Sequence, residues 1–348
     1  MAKTKKDNEV VDGLSQAEME AKFSGENEPA EKEAKKIKIK SKSNFSLADY
    51  QKEIKIPIVN YKPDSWIPMS KAFMETTQLP GIPEGRVIAC WGFEDSGKSS
   101  VALELMANAQ KKGILPILIN TEKKFNWEHA ETMGVDKDNM IYVDSLETVE
   151  DCCEFIKERL RDQKEGRLPT DIVFVWDSIG NVISGAELRA DEKGDTSAIM
   201  ATAKLLTQQI HRIIEKRISD TRKEEYPYNA TLFVVNHAYQ GTMANTLTPY
   251  GGRGVLKAAT LSIRMGGILS NSTKCYAVKD GVEMAYAIKT SIVVEKNHIT
   301  NVSVKAKIIC TAHGFIMDSK EAIDEYKKQH KDSWELKFAK DWDKYGND

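Results

Sequence analysis

The segment Gly92-Phe93-Glu94-Asp95-Ser96-Gly97-Lys98-Ser99-Ser100 constrains the fold more than any other stretch of this chain. It follows the apolar, β-rich run Val87–Trp91. It precedes Ser99–Gln110, where Val101, Ala102, Leu105 and Met106 recur at helical spacing until Gly113. Strand, glycine-rich loop and helix in that order form a phosphate loop. The glycines let several backbone N–H groups point at one phosphate, and the helix N-terminus adds partial positive charge. Lys98 is placed to reach the β and γ oxygens of a nucleotide, and the Ser99 hydroxyl to ligate Mg2+.

The rest of the pattern is consistent with that start. Short apolar runs recur at Leu115–Ile119, Met140–Val143, Ile172–Trp176 and Leu232–Val235. Amphipathic segments of helical length lie between most of them, including Val149–Leu160, with Thr148 as its cap, and Thr196–Ile218. Buried strands alternating with helices predict an α/β fold whose sheet is mostly parallel and flanked by helices. Later runs at Thr260–Met265, Ile288–Val294 and Val302–Ile309 are separated by short links and read as antiparallel strands added to one side.

Composition sets the boundaries. Of 348 residues, 41% are apolar, enough to fill one large core, and the net charge of −2 neither advertises nor excludes nucleic-acid binding. No run of eighteen apolar residues offers a membrane span, and the basic start Met1–Lys6 leads into acidic residues rather than a signal sequence. A cytoplasmic location is expected. The five cysteines lack metal or framework spacing and are expected to be reduced thiols. Residues 1–45 read as a charged, disordered tail, acidic up to Glu33 and then basic through Lys35, Lys36, Lys38, Lys40 and Lys42. That tail fits either a solvated tether or a phosphate-attracting arm. Residues 46–80 read as an amino-terminal appendage suited to protomer docking, 81–318 as the ATPase core, and 319–348 as a polar, loosely packed helical tail.

A nucleotide site also needs a carboxylate near the metal and a group that positions water. The apolar strand Ile172-Val-Phe-Val-Trp176 ends in Asp177, the Walker B pattern, which would orient Mg2+. Leu115–Ile119 ends in Asn120-Thr121-Glu122, placing Glu122 at the carboxyl edge of the sheet, where ligands of parallel α/β proteins sit.

Taken together, Gly81-Ile-Pro-Glu-Gly85-Arg86, the phosphate loop, Ile119-Asn-Thr-Glu122, Val175-Trp-Asp177-Ser178 and Val234-Val-Asn236-His237 resemble the RecA family in content and order. The resemblance covers about Leu79 to Phe315. Asn236-His237-Ala-Tyr-Gln followed by Tyr250-Gly-Gly252 looks most like the phage, UvsX-type branch.

The resemblance implies roles for further residues. Glu122 matches the family's catalytic glutamate. His129, with Asn126 one turn earlier, falls where an aromatic side chain contacts adenine. Asn236 and His237 match the polar pair that senses the γ-phosphate, with His where the bacterial form has Gln. Ala238 to Gly252, read as a long structureless stretch, matches a DNA-binding loop. There Gly251 and Gly252 would offer amides to a phosphate, Met243 and Leu247 would wedge between bases, and Arg253 would add charge. Lys204, Thr207, His211 and Arg212 are expected on one helix face that meets the DNA backbone, following the loop Arg189–Asp195. Lys296 and His298 match a Lys-Asn-Lys segment that reaches a neighbouring protomer's γ-phosphate.

The reading that follows is an ATP- and Mg2+-dependent, DNA-stimulated ATPase that forms helical homo-oligomeric filaments on single-stranded DNA. It would pair that strand with homologous duplex DNA during recombination and repair. A single-strand-binding protein and a loader are expected partners, with no membrane, and the host cytoplasm is the location for a phage-encoded protein. A hexameric helicase of related fold, or an ATP-binding switch that does not act on DNA, are the alternatives.

Overall fold

The computed structural model describes residues 46–54, 59–191, 201–240, 247–250, 253–266, 274–279 and 282–330. The charged tail 1–45, Met243, Gly251 and Gly252 lie outside the described residues. Two compact units divide at Val59 and Asn60. In the first, the short helix α1 (Leu47–Glu53) is capped by Ser46, whose hydroxyl accepts from the Asp49 amide at 3.3 Å.

The second unit runs from Asn60 onward and carries the sheet. In chain order its elements begin with β1 (Trp66–Ile67), α2 (Lys71–Thr77), β2 (Ile82–Pro83), β3 (Val87–Gly92), α3 (Lys98–Lys111) and β4 (Leu115–Asn120). They continue with α4 (Trp127–Thr132), β5 (Ile141–Val143), α5 (Val149–Lys164), β6 (Ile172–Asp177) and α6 (Gly185–Asp191). A helical run α7 follows, built from Ala201–Leu206, Thr207–Ile214 and Glu215–Asp220. Last come β7 (Ala230–Gln240), β8 (Leu247–Pro249), α8 (Gly254–Ala258), β9 (Leu261–Gly266), β10 (Lys274–Lys279), β11 (Val282–Asn297), β12 (Val304–Thr311), β13 (Gly314–Met317) and α9 (Lys320–Gln329).

The main sheet has the order β13-β12-β11-β9-β3-β7-β6-β4-β5, with β10 on β11 and β8 on β7. From β9 to β5 it is parallel, and β11, β12 and β13 are antiparallel additions. This is the α/β architecture expected from the pattern of strands and helices. Alternation sorts the central strands onto two faces. Val87, Ala89, Ile117, Ile119, Phe174, Trp176, Leu232 and Val234 join one core with α5, α7 and α8. Ile88, Cys90, Leu118, Val175 and Phe233 point the other way, where α3 packs. Each such fully buried Val, Leu, Ile or Phe side chain contributes about 1.5–3 kcal/mol, which favours near-continuous apolar runs in these strands.

Local signals set the helix boundaries. Thr148 and Asp151 form a reciprocal capping box at the start of α5, with 3.1 Å contacts in both directions. The cysteines are reduced thiols, and burial pushes Cys90 and Cys153 up to about 12, well out of the reactive range.

Three details differ from the sequence reading. The strand at Thr260–Met265 is not antiparallel to the core: β9 runs parallel to β3, with Ile88 level with Leu261 and Gly92 level with Met265. The chain returns to it through α8, the crossover a parallel neighbour requires, and antiparallel pairing starts at β11. The stretch from Ala238 is not structureless: β7 continues to Gln240 and returns as β8, with Ala238 opposite Pro249 and Gln240 opposite Leu247. The middle of α7 is a π-helix, and its i→i+5 bonding lengthens the turn so that residues four to five apart align. Lys204, Gln208, Arg212, Lys216 and Arg217 are the exposed residues of α7, whereas Thr207 and His211 lie half-buried.

Candidate nucleotide site

The phosphate loop leaves β3 at Gly92 and enters α3 at Lys98. Two glycines are dictated by geometry. A Cβ on Gly92 would lie 1.9 Å from the Met265 carbonyl oxygen of β9, so no side chain fits there. Gly97 has φ +93°, the left-handed region that only glycine occupies without strain. The Lys98 amine donates to the loop's own Phe93 carbonyl at 2.5 Å, and the Ser96 hydroxyl donates to the same oxygen at 2.8 Å. Burial pulls the Lys98 ammonium below its ordinary value. Glu94, Asp95 and Ser99 are exposed on the loop, while the Ser100 hydroxyl is buried and accepts from the Cys310 thiol at 3.2 Å.

Parallel register brings the ends of β4, β6 and β7 beside that loop. Asn120 is level with Asp177, and Trp91 with Asn236. Ser99 Oγ donates to Asp177 Oδ2 at 2.9 Å, and Asp177 Oδ1 is buried without a hydrogen-bond partner. Burial, reinforced by the nearby Glu122 carboxylate, pushes Asp177 up to about 6. A hydroxyl and a buried carboxylate with a spare oxygen make a hard oxygen donor set that suits Mg2+.

Glu122 is gripped from two elements. His237 Nε2 donates to Glu122 Oε1, and Ser178 Oγ donates to the same oxygen at 3.0 Å. The His237 hydrogen bond in particular holds the Glu122 carboxyl below the usual range. Asn236 is buried, takes the His237 amide on its Oδ1 at 2.9 Å and donates from Nδ2 to the Tyr250 carbonyl at 2.9 Å. The Tyr250 amide donates back to the His237 carbonyl at 2.9 Å. The hairpin of β7 and β8 is thus tied to Glu122 through two consecutive residues.

These groups surround a cleft of about 860 Å³ lined by the phosphate loop, Glu122, His237, Tyr250 and Cys310. That volume lies within the range that holds nucleotide-sized ligands. Beside it is a smaller cavity of about 120 Å³, lined in part by Ser99, Asp177, Asn126 and His129. Asn126 also caps α4, accepting from the His129 amide at 3.0 Å.

The remaining predicted residues do not converge on the cleft of their own chain. Lys296 is level with Ser262 and so with Ala89, three residues or about 10 Å short of Gly92 and two strands away. Its amine donates to the Leu256 and Lys257 carbonyls at 3.1 and 3.0 Å, closing the end of α8, and burial lowers its pKa. His298 is exposed in the turn after β11, with its amide on the Thr260 carbonyl at 3.0 Å. Thr207 packs against α8 so closely that a Cβ on Gly254 would lie 1.8 Å from its hydroxyl. His211 has a buried, unpartnered Nδ1. Leu247 lies half-buried on β8, and Arg253 is exposed at the start of α8.

Comparison with known proteins settles the family. The RecA N-terminal domain matches residues 64–307, most of the chain. The chain belongs to this family. RecA of Clostridium acetobutylicum is 35% identical over 135 residues, covering 39% of this chain and 36% of that protein. RecA of Mycobacterium ulcerans is 35% identical over 153 residues, covering 44% and 42%. The chain therefore aligns with less than half the length of these RecA relatives. No helix among the described residues is long and apolar enough to cross a membrane.

Sequence reasoning assigned no role to Ser178, Tyr250 or Lys124. Ser178 directly follows the Walker B aspartate, which is a usable signal. The contact between Glu122 and His237 spans 115 positions and leaves none.

Proposed function

We propose that this chain is an ATP- and Mg2+-dependent strand-exchange protein of the UvsX-type branch, assembling as a helical filament on single-stranded DNA. The observation that carries the reading is the hydrogen bond between Glu122 and His237. It links the group best placed to activate water to the strand that runs out into the β7–β8 hairpin.

In this reading Ser99 and Asp177 would hold Mg2+, which would supply charge neutralisation at the phosphates. Lys98 exchanges the Phe93 carbonyl for the β and γ oxygens of ATP. Glu122, ionised because His237 and Ser178 favour its charged form, orients the attacking water and takes its proton. Asn126 and His129 face the base. Loss of the γ-phosphate is felt by Asn236 and His237, whose hydrogen bonds with Tyr250 carry the change to the hairpin. Leu247, Met243, Gly251, Gly252 and Arg253 then meet DNA, with Lys204 and Arg212 on its phosphates. Lys296, out of reach of its own phosphate loop, serves the next protomer with His298. Homologous duplex DNA is the second substrate, and a single-strand-binding protein and a loader act beside the filament.

Electron microscopy with single-stranded DNA and a slowly hydrolysed ATP analogue tests this. Helical filaments are expected. Closed rings would assign a helicase instead, and absence of any nucleotide-dependent assembly would leave an ATP switch.

A further inference from the structure

The two cavities at the carboxyl edge of the parallel sheet have three lining residues in common: Ser99, Glu122 and Lys124. Ser99 and Glu122 have parts in the nucleotide site described above. Lys124 has none, yet it lines both cavities. Between Glu122 and Lys124, Lys123 takes a left-handed conformation with φ +55° and is exposed to solvent. A non-glycine residue held there is uncommon and points to a local constraint. On either side of it a carboxylate, Glu122, and an ammonium, Lys124, both line the cleft.

The charge of the cleft gives Lys124 a purpose. Its lining holds the carboxylates Glu94, Asp95 and Glu122, against the ammonium groups Lys98 and Lys124. Without Lys124, one buried lysine faces three carboxylates, and an incoming polyphosphate adds more negative charge. The lining of the smaller cavity holds Lys124 as its lysine, together with the carboxylates Asp177 and Glu122. Lys124 has no partner among the described residues, so its ammonium is available to a ligand.

We infer that Lys124 is a phosphate-binding residue for the terminal phosphates of a nucleoside triphosphate, a second cation supplied by the same chain as Lys98. The inference rests on the nucleotide reading above. It differs from the role of Lys296, which needs a neighbouring protomer: Lys124 acts within a single protomer, before any assembly. It therefore sets triphosphate affinity in the absence of DNA.

Binding of a non-hydrolysed Mg–ATP analogue and of Mg–ADP to the full-length protein without DNA tests this, by fluorescence competition at low and high salt. Circular dichroism checks the fold of each variant. Lys124→Gln should weaken the triphosphate about tenfold, as for a charge-assisted contact open to solvent. It should weaken the diphosphate less, and the difference should shrink with added salt. Lys124→Arg should stay within about threefold of the parent. Wild-type triphosphate affinity in Lys124→Gln, with binding lost in Lys98→Ala, would overturn the inference and leave the nucleotide site standing. Equal weakening of both nucleotides, or equal loss in the Arg and Gln variants, would overturn it as well. Normal binding in Lys98→Ala would instead overturn the nucleotide reading itself.

Discussion

Mixing Lys98→Ala with Lys296→Ala, each expected to be inactive alone, tests the proposed sharing of the site between protomers. Lys296 sits level with Ala89, about 10 Å short of the phosphate loop along the sheet and two strands to the side, with its amine on the carbonyls at the end of α8. A lysine side chain cannot close that gap within one chain, so under the proposed function Lys296 would reach the phosphate held by a neighbour's loop. In the proposed head-to-tail assembly each site would take its phosphate loop from one protomer and Lys296 from the next. With equal amounts randomly mixed, about one interface in four joins an intact loop to an intact Lys296. DNA-stimulated ATP turnover should therefore recover to about a quarter of wild type per site, from near zero for either variant alone. The fold should survive both changes. Lys98 lies at a ligand surface rather than in the apolar core, and Lys296→Ala removes two partly exposed hydrogen bonds costing about 1 kcal/mol. The assay is steady-state phosphate release on single-stranded DNA across mixing ratios, with co-assembly verified by labelled protomers. Co-assembled mixtures that stay inactive at every ratio would refute the shared site.

Glu122→Gln should keep ATP binding, slow hydrolysis by about 10² or more, and prolong the DNA-bound state, measured by single-turnover phosphate release and DNA dissociation; rapid hydrolysis would reduce Glu122 to a structural cap. The His237 hydrogen bond lowers the Glu122 pKa, so the ionised form persists to a lower pH and is lost only as pH falls through that lowered value. His237→Ala should consequently move the acid limb of the kcat/KM profile to higher pH, and an unmoved limb would show that the contact does not govern the base. Arg212→Gln and Lys204→Gln should each weaken DNA binding with little sequence dependence and reduce the salt slope by about one; an unchanged slope in fluorescence anisotropy would remove that helix face from the DNA path.

The sequence by itself determined the elements whose physics is local. A buried parallel strand needs an unbroken apolar run, and Val87–Gly92, Leu115–Asn120 and Ile172–Asp177 announce themselves that way. The phosphate loop is legible because its glycines and Lys98-Ser99 are contiguous, with Gly97 required by its positive φ, whereas the need for glycine at Gly92 comes from the distant Met265 carbonyl. The capping box at Thr148 and Asp151 is legible because its partners lie three positions apart. Asp177 and Glu122 could be placed near the phosphate loop because parallel strands present their carboxyl ends at one edge. Tertiary structure decided what depends on register between distant segments. The parallel direction of β9, the return of β7 as β8 and the π-helical centre of α7 follow from crossovers and packing that no local period encodes. The same holds for the grip of His237 on Glu122, the place of Lys124 in the lining of both cavities, and the separation of Lys296 from its own phosphate loop. Each is a distance set by the sheet as a whole, and a side chain's neighbours across a sheet are fixed only when every strand between them is in place.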